Sequence, residues 1–256
     1  ELGHTHTICT WQSLNVLDKK DINNDTLLLA DFLEGVSTII VDECHQAKSE
    51  VLRSLLGKNL AKAPIRWGLT GTIPKDSLDF ESIRCHIGNV VNHVPAHILQ
   101  EQGILSKCHI DVIQTQEYRE FKTYPEELKY LVTDPTRLTW LSKLVKSISE
   151  NGNTLVLVDR IETGETLLAQ LTQLVDSQSV TFVSGAVKSK DRKEEYDEIR
   201  ITNDKILIAT YGVAAVGISI DRLHNIILLE PGKSFVRVIQ SIGRGLRKAK
   251  DKDLSL

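Results

Sequence analysis

Two adjacent carboxylates, Asp42 and Glu43, directly follow the β-branched and apolar run 37–41. Such a run predicts a strand, and ligands of open α/β sheets gather at the carboxyl ends of strands. Hydrolysis of a phosphoanhydride needs Mg²⁺ to neutralise developing charge, and a group that orients or deprotonates the attacking water. The first carboxylate suits the metal, the second suits the water, and His45 is placed to sense the nucleotide. The alternative for the acidic pair is a solvated loop, and the alternative for His45 is a packed polar residue.

Arg244 and Arg247 lie near the other end of the chain, three residues apart in the segment 240–247. This spacing places two side chains on one face of a helix, and guanidinium groups match phosphate oxygens with paired hydrogen bonds. An arginine that reaches a site from another lobe supplies charge to the transition state of phosphoryl transfer. The sequence therefore predicts that the arginines and the acidic pair face one gap that fits ATP. A solvated basic helix is the alternative.

Small and hydroxyl-bearing residues follow two other predicted strands. The hydroxyls of Thr70 and Thr72, which flank Gly71, can hydrogen-bond a neighbouring carboxylate or histidine and relay its state. Between 209 and 219 the chain is rich in glycine and alanine, which let the backbone approach a phosphate chain. Asp221 follows, placed to cap a helix or to accept from a ribose hydroxyl. The alternatives are a plain strand-to-turn connection and a tightly packed helix.

Two further segments have competing interpretations. The segment 10–13 carries hydroxyl and amide groups that suit nucleic-acid phosphates, and Trp11 is either a stacking surface or a core residue. The segment 232–234 resembles the end of a phosphate loop, but Ile227 stands where that motif requires its first glycine. We interpret it as a surface turn, and we find no other candidate for a phosphate loop in the sequence.

The composition narrows the class of protein. The 256 residues include 31 lysines and arginines against 34 aspartates and glutamates, so contact with nucleic acid has to come from local patches. The four cysteines lack the paired spacing of a zinc site or a disulfide framework, which favours a reducing, cytoplasmic location. No apolar run reaches the roughly 18 residues that a membrane-spanning helix requires.

Short β-branched runs alternate with helical stretches, which predicts parallel sheets with helical crossovers. Two similar lobes are expected, a partial one at 1–105 and a second at 106–256. The predicted strands are 6–10, 38–41, 66–70, 110–113, 154–158, 180–183, 205–210 and 225–229. Helices are predicted at 27–33, 50–56, 135–149, 162–175 and 188–199, with a helix-rich passage at 89–102. The expected fold class is therefore α/β, with mostly parallel sheets flanked by helices.

In this order, the segments resemble the conserved motifs of the second superfamily of helicases and translocases. The most specific are 42–45, which is similar to motif II, and 240–247, whose Q-x-x-G-R-x-x-R spacing is similar to motif VI. Four other segments gain weight from their order along the chain: 10–13 resembles motif Ib, 70–72 motif III, 155–160 motif IV and 210–219 motif V. Several of these segments further resemble the UvsW type of bacteriophage recombination helicase.

The resemblance implies two RecA-like lobes with ATP between them. It implies that Asp42 holds Mg²⁺ through a water molecule and that Glu43 is the general base. It gives His45 and Gln240 the task of coupling nucleotide state to lobe closure. Thr70, Gly71 and Thr72 would share that coupling. The residues expected to bind the nucleotide are Gly217, Ser219, Asp221, Arg244 and Arg247, the two arginines gripping the γ-phosphate.

The resemblance also implies that nucleic acid runs across the top of both lobes. The residues expected to bind it are Thr10, Trp11, Gln12, Asp159, Arg160, Ser184, Gly185, Thr210, Tyr211 and Gly212. The lysine-bearing phosphate loop of the family would lie upstream of Glu1, which makes the first lobe N-terminally truncated as given.

The sequence-based prediction is an ATP-dependent DNA helicase or translocase that acts on branched or duplex DNA in recombination and repair. If the protein is phage-encoded, it would work in the host cytoplasm. Two alternatives stay open: the motor subunit of a restriction system, and a non-catalytic scaffold that binds nucleic acid through degenerate lobes. The upstream sequence would discriminate between them.

Overall fold

The computed structural model describes residues 4–20, 28–74, 76–116, 119–185, 189–217, 220–229, 234–252 and 254–255. The chain divides into two compact units, Glu1–His93 and Val94–Leu256. Each unit contains a parallel sheet and helices, which confirms the predicted α/β class. None of the helices in the described ranges is long and apolar enough to cross a membrane.

The first unit is built around two parallel strands, β1 (Thr38–Val41) and β2 (Ile65–Gly68). Its described α-helices are α1 (Trp11–Lys20), α2 (Leu29–Leu33), α3 (Glu50–Ser54) and α4 (Ser77–His86). A 3₁₀ turn at Cys44–Lys48 follows β1, and a π-helical turn at Leu55–Asn59 follows α3. The predicted strands at 38–41 and 66–70 are thus present, the second shifted by one to two residues.

Leucine side chains form most of the core of the first unit. Trp11 packs against two buried clusters, one that includes Cys44 and Leu56 and one that includes Leu14 and Leu29. In each strand, alternate residues are exposed, as the two-residue period of a strand requires. The helices therefore hold one face of the short sheet, and the carboxyl end of β1 is anchored through that face.

The second unit contains a four-stranded parallel sheet in the order β5-β6-β4-β7. These strands are β4 (Thr154–Val158), β5 (Val180–Val183), β6 (Ile206–Thr210) and β7 (Asn225–Leu228). The helices between them are α8 (Ile161–Leu171), α9 (Ser189–Ile201) and α10 (Tyr211–Gly217), and α11 (Phe235–Gly245) follows β7. All four strands match their predictions to within one residue.

Successive residues of the central strands enter two different cores. Leu155 and Leu157 of β4 join a buried cluster with Val213 and Leu223, whereas Val156 lies in a second cluster. That second cluster includes Leu138, Leu141 and Val145 of α7 (Pro135–Ser149) and Leu167 and Leu171 of α8. Both faces of the sheet are covered, which explains why these strands are continuous apolar runs.

Helix α7 begins and ends where its sequence predicts. Pro135 occupies the first turn, where its missing N–H costs nothing, and the side chain of Asp134 accepts from the N–H of Arg137 over 2.8 Å. Before it lies α6 (Tyr124–Thr133), which the sequence analysis did not predict. The smaller elements of this unit are α5 (Ala96–Glu101) and the paired strands β3 (Lys107–Cys108) and β8 (Leu254–Ser255).

Two predicted strands are wrong. Residues 6–10 and 110–113 lie outside regular secondary structure, and Ile8 and Val112 are 102% and 88% exposed. In the described part of the chain, neither segment pairs with a strand. An apolar run becomes a strand only if a neighbouring strand accepts its backbone hydrogen bonds. The helical interpretation of 89–102 is correct only for α5, because residues 89–95 are irregular.

The division between the units falls after His93, whereas the sequence analysis placed it after 105. The segment that precedes β3 is hydrogen-bonded to the end of the second unit. The N–H of Ser106 donates to the carbonyl of Leu246 over 2.8 Å, and Lys248 Nζ donates to the carbonyl of Gly103 over 3.1 Å. These contacts are distant in sequence, so no local pattern announces them.

Candidate functional site

Asp42 and Glu43 form a turn directly after β1. Glu43 adopts a left-handed conformation, with φ 50° and ψ 46°, and its N–H donates to Oδ1 of Asp42 over 2.9 Å. It is the one non-glycine residue with positive φ in the described part of the chain. Such a conformation costs an L-residue roughly 1–2 kcal/mol. Packing around the turn has to compensate this conformational cost. The turn brings the Glu43 carboxylate to the ring of His45.

The imidazole of His45 connects the acidic turn to the segment after β2. Its Nδ1 lies 3.2 Å from Oε2 of Glu43 and 3.0 Å from Oγ1 of Thr70, and the residue is 8% exposed. The Thr70 hydroxyl donates its own proton to the carbonyl of Thr72 over 3.0 Å. It can therefore only accept from His45, which places a proton on Nδ1 of the imidazole. This N–H faces both a carboxylate and a hydroxyl.

Backbone hydrogen bonds beyond the ends of β1 and β2 align these groups. The N–H of Leu69 donates to the carbonyl of Val41, and the N–H of Cys44 donates to the carbonyl of Leu69, each over 2.9 Å. A side chain at Gly68 would meet Cys44 Sγ at 2.9 Å and Ile87 Cγ2 at 3.0 Å. Glycine at this position therefore lets the acidic turn lie against β2.

We expect Gly68→Ala to lower the free energy of unfolding by about 1–3 kcal/mol, since an added methyl group has to displace the Cys44 side chain or the turn. The measurement is urea unfolding followed by circular dichroism. Gly71→Ala is the matched control, because no atom lies within 4 Å of its added carbon. Equal midpoints for wild type and Gly68→Ala would contradict this account of the turn.

The remaining groups of this site are a hydroxyl and a thiol. Thr72 is 6% exposed, and its Oγ1 has no hydrogen-bond partner within the described ranges. Burial raises the pKa of the Cys44 thiol, and the charges of Glu43 and Asp42 raise it further. Cys44 therefore stays protonated and acts as a packing residue, whereas the polar chemistry of the turn lies with its neighbours.

Thr10, Trp11 and Gln12 lie at the beginning of α1. The hydroxyl of Thr10 accepts from the N–H of Ser13 over 3.2 Å, as a helix-capping side chain does. Trp11 is half-buried against the core of the first unit, which agrees with the alternative that it is a core residue. Gln12 is exposed. The binding of nucleic acid by these three residues stays a prediction.

In the second unit, the predicted nucleic-acid-binding residues converge on one sheet edge. Asp159 and Arg160 follow β4, Ser184 and Gly185 follow β5, and Thr210, Tyr211 and Gly212 lie where β6 passes into α10. Because β5, β6 and β4 are adjacent and parallel, their carboxyl ends lie side by side. Sequence motifs far apart in the chain are thereby neighbours at the edge where such sheets bind ligands.

Arg237, in the first turn of α11, connects two of these segments. Its Nη1 donates to Oδ1 of Asp159 over 2.9 Å, and its guanidinium carbon lies 5.0 Å from the centroid of the Tyr211 ring. The Asp159 carboxylate would otherwise repel a phosphate, and Arg237 neutralises it. The sequence analysis did not single out Arg237, because no local pattern assigns it a partner 78 positions away.

Helix α11 carries only part of the predicted arginine face. Its N-cap is Ser234, its last turn contains Arg244, and it ends at Gly245. Arg247 lies beyond the helix and forms an antiparallel bridge with Leu105, so the prediction that both arginines share a helical face is wrong. Leu246 closes the helix and bonds to Ser106, which diverts the chain before Arg247. The solvated basic helix is likewise incorrect for the residues after 245.

The other predicted nucleotide-binding residues surround this point or lie outside the described residues. Asp221 Oδ1 lies 3.9 Å from Nη1 of Arg247, and both side chains are partly exposed. Gly217 is the last residue of α10, whereas Ser219 lies outside the described residues, as do residues 230–233. Gln240 lies on α11, four residues before Arg244. The structure thus brings Asp221 to Arg247, a pair that no sequence motif predicts.

Parallel α/β sheets with polar residues at the carboxyl edge are typical of proteins that bind nucleotides or nucleic acids there. Residues 136–249, within the second unit, match the family described as helicase conserved C-terminal domain. Over these residues, the second unit is therefore similar to helicase C-terminal domains.

The chain is 28% identical over 221 residues to the ATP-dependent DNA helicase uvsW of Enterobacteria phage T4, a match that covers 84% of this chain and 43% of that protein. It is 23% identical to putative helicase 22 of Sulfolobus islandicus filamentous virus, across 94% of this chain and 45% of that protein. The chain thus spans less than half the length of these curated relatives.

Among solved structures, the DNA-bound type ISP restriction-modification enzyme LlaBIII aligns with a TM-score of 0.59 at 16% identity, covering 96% of this chain and 19% of that one. This likeness concerns the fold. The sequence matches confirm the resemblance to superfamily 2 helicases.

Proposed function

We propose that this chain is the motor part of an ATP-dependent DNA helicase or translocase that remodels branched or duplex DNA in recombination and repair. The single observation that carries the proposal is the turn at Asp42 and Glu43. The strained backbone of Glu43 places its carboxylate against His45, which in turn contacts Thr70. In a phage infection, this activity would reside in the host cytoplasm. The similarity to the phage T4 helicase supports the assignment to DNA.

The residues of the first unit fit a Mg²⁺-dependent hydrolysis. No cluster of three or more histidine, cysteine, aspartate or glutamate side chains that could hold a metal occurs in the described ranges. Mg²⁺ bound to a nucleotide needs only one or two carboxylates, since waters and phosphate oxygens complete its shell. The exposed Asp42 suits that role. When bound, the ion neutralises charge on the phosphates, while Glu43 orients and deprotonates the attacking water.

Arg244 and Arg247 of the second unit are the proposed partners of the γ-phosphate. A guanidinium group keeps its charge at every accessible pH and presents paired donors. When no nucleotide is bound, Asp221, 3.9 Å from Arg247, would help to hold its guanidinium group in place by a weak, exposed ion pair. Arg247 can exchange Asp221 for a phosphate group at a small cost in free energy. A residue that binds the nucleotide anew in each catalytic cycle requires this.

The carboxyl edge of β5, β6 and β4 is the proposed nucleic-acid surface of the second unit. Arg160 and the small residues Gly185 and Gly212 are exposed there. Within the described ranges no side chain crowds either glycine, so a phosphate can approach the backbone N–H groups closely. Contacts of this kind follow the sugar–phosphate backbone and are independent of base sequence, which suits a translocating motor.

The His45–Thr70–Thr72 network is proposed to couple nucleotide state to nucleic-acid binding. In the intact protein, we expect Thr70→Val to reduce the stimulation of ATP hydrolysis by DNA about 5- to 50-fold, because it leaves the His45 N–H without its hydroxyl acceptor. The rate without DNA should change less than about threefold. Steady-state ATPase assays with and without saturating DNA measure both rates.

Thr166→Val is the matched control, since the hydroxyl of Thr166 bonds only within its own helix. If Thr70→Val lowers both rates equally, or neither, Thr70 is not a coupling residue.

The proposed function is tested by titrating the intact protein with single-stranded, duplex and forked DNA and measuring ATP hydrolysis. We expect Mg²⁺-dependent turnover that rises with DNA and most steeply with forked DNA. An intact protein that binds DNA but never hydrolyses ATP would support the non-catalytic scaffold instead. Cleavage of the DNA would support the restriction motor.

A further inference from the structure

Lys252 is a buried lysine in the segment that follows α11. It is 2% exposed, although lysine is among the residues least often buried. Its Nζ donates to the carbonyl of Gly245, to that of Arg247 over 2.9 Å and to that of Asp221 over 3.4 Å. These three bonds use all the donors that an ammonium group has. Burying a charged group away from water costs free energy, so it is expected only where the contacts of that group serve the structure or the site.

The three carbonyl groups belong to one small region. Gly245 is the last residue of α11, and the final carbonyls of a helix lack partners within the helix and carry its negative partial charge. Ser106 completes the arrangement: its N–H donates to the carbonyl of Leu246 over 2.8 Å, and its hydroxyl lies 3.3 Å from the carbonyl of Arg247. Three successive carbonyl groups, 245 to 247, are therefore held, two of them by Lys252.

The same ammonium group also holds the backbone of Asp221, whose side chain faces the guanidinium group of Arg247 at 3.9 Å. Both ends of that exposed ion pair thus arise from backbone segments that Lys252 ties together. An exposed arginine side chain has many rotamers, so its position depends on how rigidly its backbone is held. Lys252 supplies that rigidity, while Arg247 itself remains 40% exposed and able to contact a ligand.

We propose that Lys252 is a positioning residue for Arg247, whose buried ammonium group holds the backbone from which the arginine reaches the phosphates of the nucleotide. This inference rests on the proposed function, because it assumes that Arg247 acts on ATP. Lys252 does not touch the substrate, and its own donors are all committed to carbonyl oxygens.

The charges around Lys252 set its protonation. Burial lowers its pKa from 10.5 to about 8, against the attraction of Asp221, Cys108 and Asp251. Burial raises the pKa of the Cys108 thiol and lowers that of the His224 imidazole, and Lys252 itself lowers both. Among the described residues, Arg222 and Arg247 are further charged groups near Lys252, and neither changes charge in the accessible range.

A rise in pH is expected to change turnover and stability in opposite directions, which distinguishes a role in positioning from a role in stability. Because the pKa of Lys252 is lower in the folded chain than in the unfolded one, the unfolded state binds more protons between about pH 8 and 10.5. Raising the pH through this window therefore increases the contribution of Lys252 to stability. The ammonium group that holds Arg247 is lost over the same window, so turnover should fall while the fold does not weaken.

The first test is Lys252→Met in the intact protein, which keeps the length of the side chain and removes the charge. We expect kcat for DNA-stimulated ATP hydrolysis to fall about 10- to 100-fold, because a misplaced catalytic group loses this much, with KM for ATP within about threefold. Lys250→Met is the control, since Lys250 is exposed two residues away. Wild-type kcat in Lys252→Met would overturn the inference.

The second test compares pH profiles and covers the case in which Lys252→Met fails to fold. The wild-type kcat should decline above about pH 8, and Lys252→Arg, whose charge does not titrate there, should move this decline to higher pH. Identical alkaline declines in both proteins would overturn the inference. If Arg247→Ala leaves kcat unchanged, the assumption that Arg247 acts on ATP has failed, whatever Lys252 does.

A third measurement is independent of ATP. Amide hydrogen exchange in the segment 245–249, without nucleotide, should be faster in Lys252→Met than in Lys250→Met, since the anchoring is a property of the free protein. Equal exchange in the two variants would show that Lys252 does not hold this segment, whatever Arg247 does.

Discussion

Replacing Glu43 with glutamine in the intact protein is expected to reduce DNA-stimulated ATP hydrolysis about 10²- to 10⁴-fold, the usual contribution of a general base. Glutamine keeps the size of the side chain and an oxygen that can accept from His45 Nδ1, which lies 3.2 Å from the Glu43 carboxylate. The turn therefore survives and only the ability to take a proton is lost. Nucleotide affinity, measured by equilibrium binding of a fluorescent ATP analogue, should remain within about threefold of wild type.

Glu81→Gln is the matched control for this experiment. Glu81 lies in the same unit, on α4, and forms an exposed ion pair with Arg84. The control removes one carboxylate and one charge contact, as Glu43→Gln does, but away from the turn. Unchanged turnover in Glu43→Gln would remove the base assignment, and a loss of nucleotide binding as well would indicate that the turn had been disrupted instead.

Replacing Arg247 with alanine is expected to reduce kcat about 10³- to 10⁵-fold, the effect of losing an arginine that stabilises the transition state of phosphoryl transfer. The substitution should slow the chemical step without disturbing the fold, because the hydrogen bonds that hold this segment are made to backbone carbonyl groups, not to the Arg247 side chain. Lys252 and Ser106 bond to the carbonyl of Arg247, which alanine retains. Its side chain makes an exposed ion pair with Asp221, which contributes little to stability.

Single-turnover ATP hydrolysis measures the chemical step of this variant directly. Arg200→Ala is the matched control, since Arg200 also forms an exposed ion pair, with Asp197, in the same unit. Arg247→Lys should recover only a small part of the rate, because a single ammonium group cannot present the paired donors of guanidinium. A nearly normal rate in Arg247→Ala would exclude it as the arginine that completes the site.

The local sequence predicted the elements that need no distant partner. Helix α7 is announced by Asp134, Pro135 and the spacing of its leucines, and β4 by an unbroken apolar run. The carboxylates at 42 and 43 were placed correctly after β1, since a strand that ends in polar residues leaves them at its carboxyl end. The strands predicted at 6–10 and 110–113 had similar local patterns and failed, because no described strand pairs with either.

The candidate site was predicted in part. Its residue types and their order could be read from the sequence, whereas the parallel sheet shows that the segments after β4, β5 and β6 share an edge. Their partners could not be read. The contacts of Asp159 with Arg237, of Asp221 with Arg247 and of Lys252 with three carbonyl groups join residues that no periodicity relates.

The amino-acid order alone determined which chemical groups the chain carries and which local elements present them, because capping residues, apolar periods and β-branched runs act over a few neighbouring positions. Only the tertiary structure decided that Glu43 would adopt a left-handed turn against His45, and that α11 would end before Arg247. The physical reason is that backbone groups must find hydrogen-bond partners wherever the chain folds back on itself. At Arg247 those partners are Leu105, Ser106 and Lys252, which no short stretch of sequence brings together.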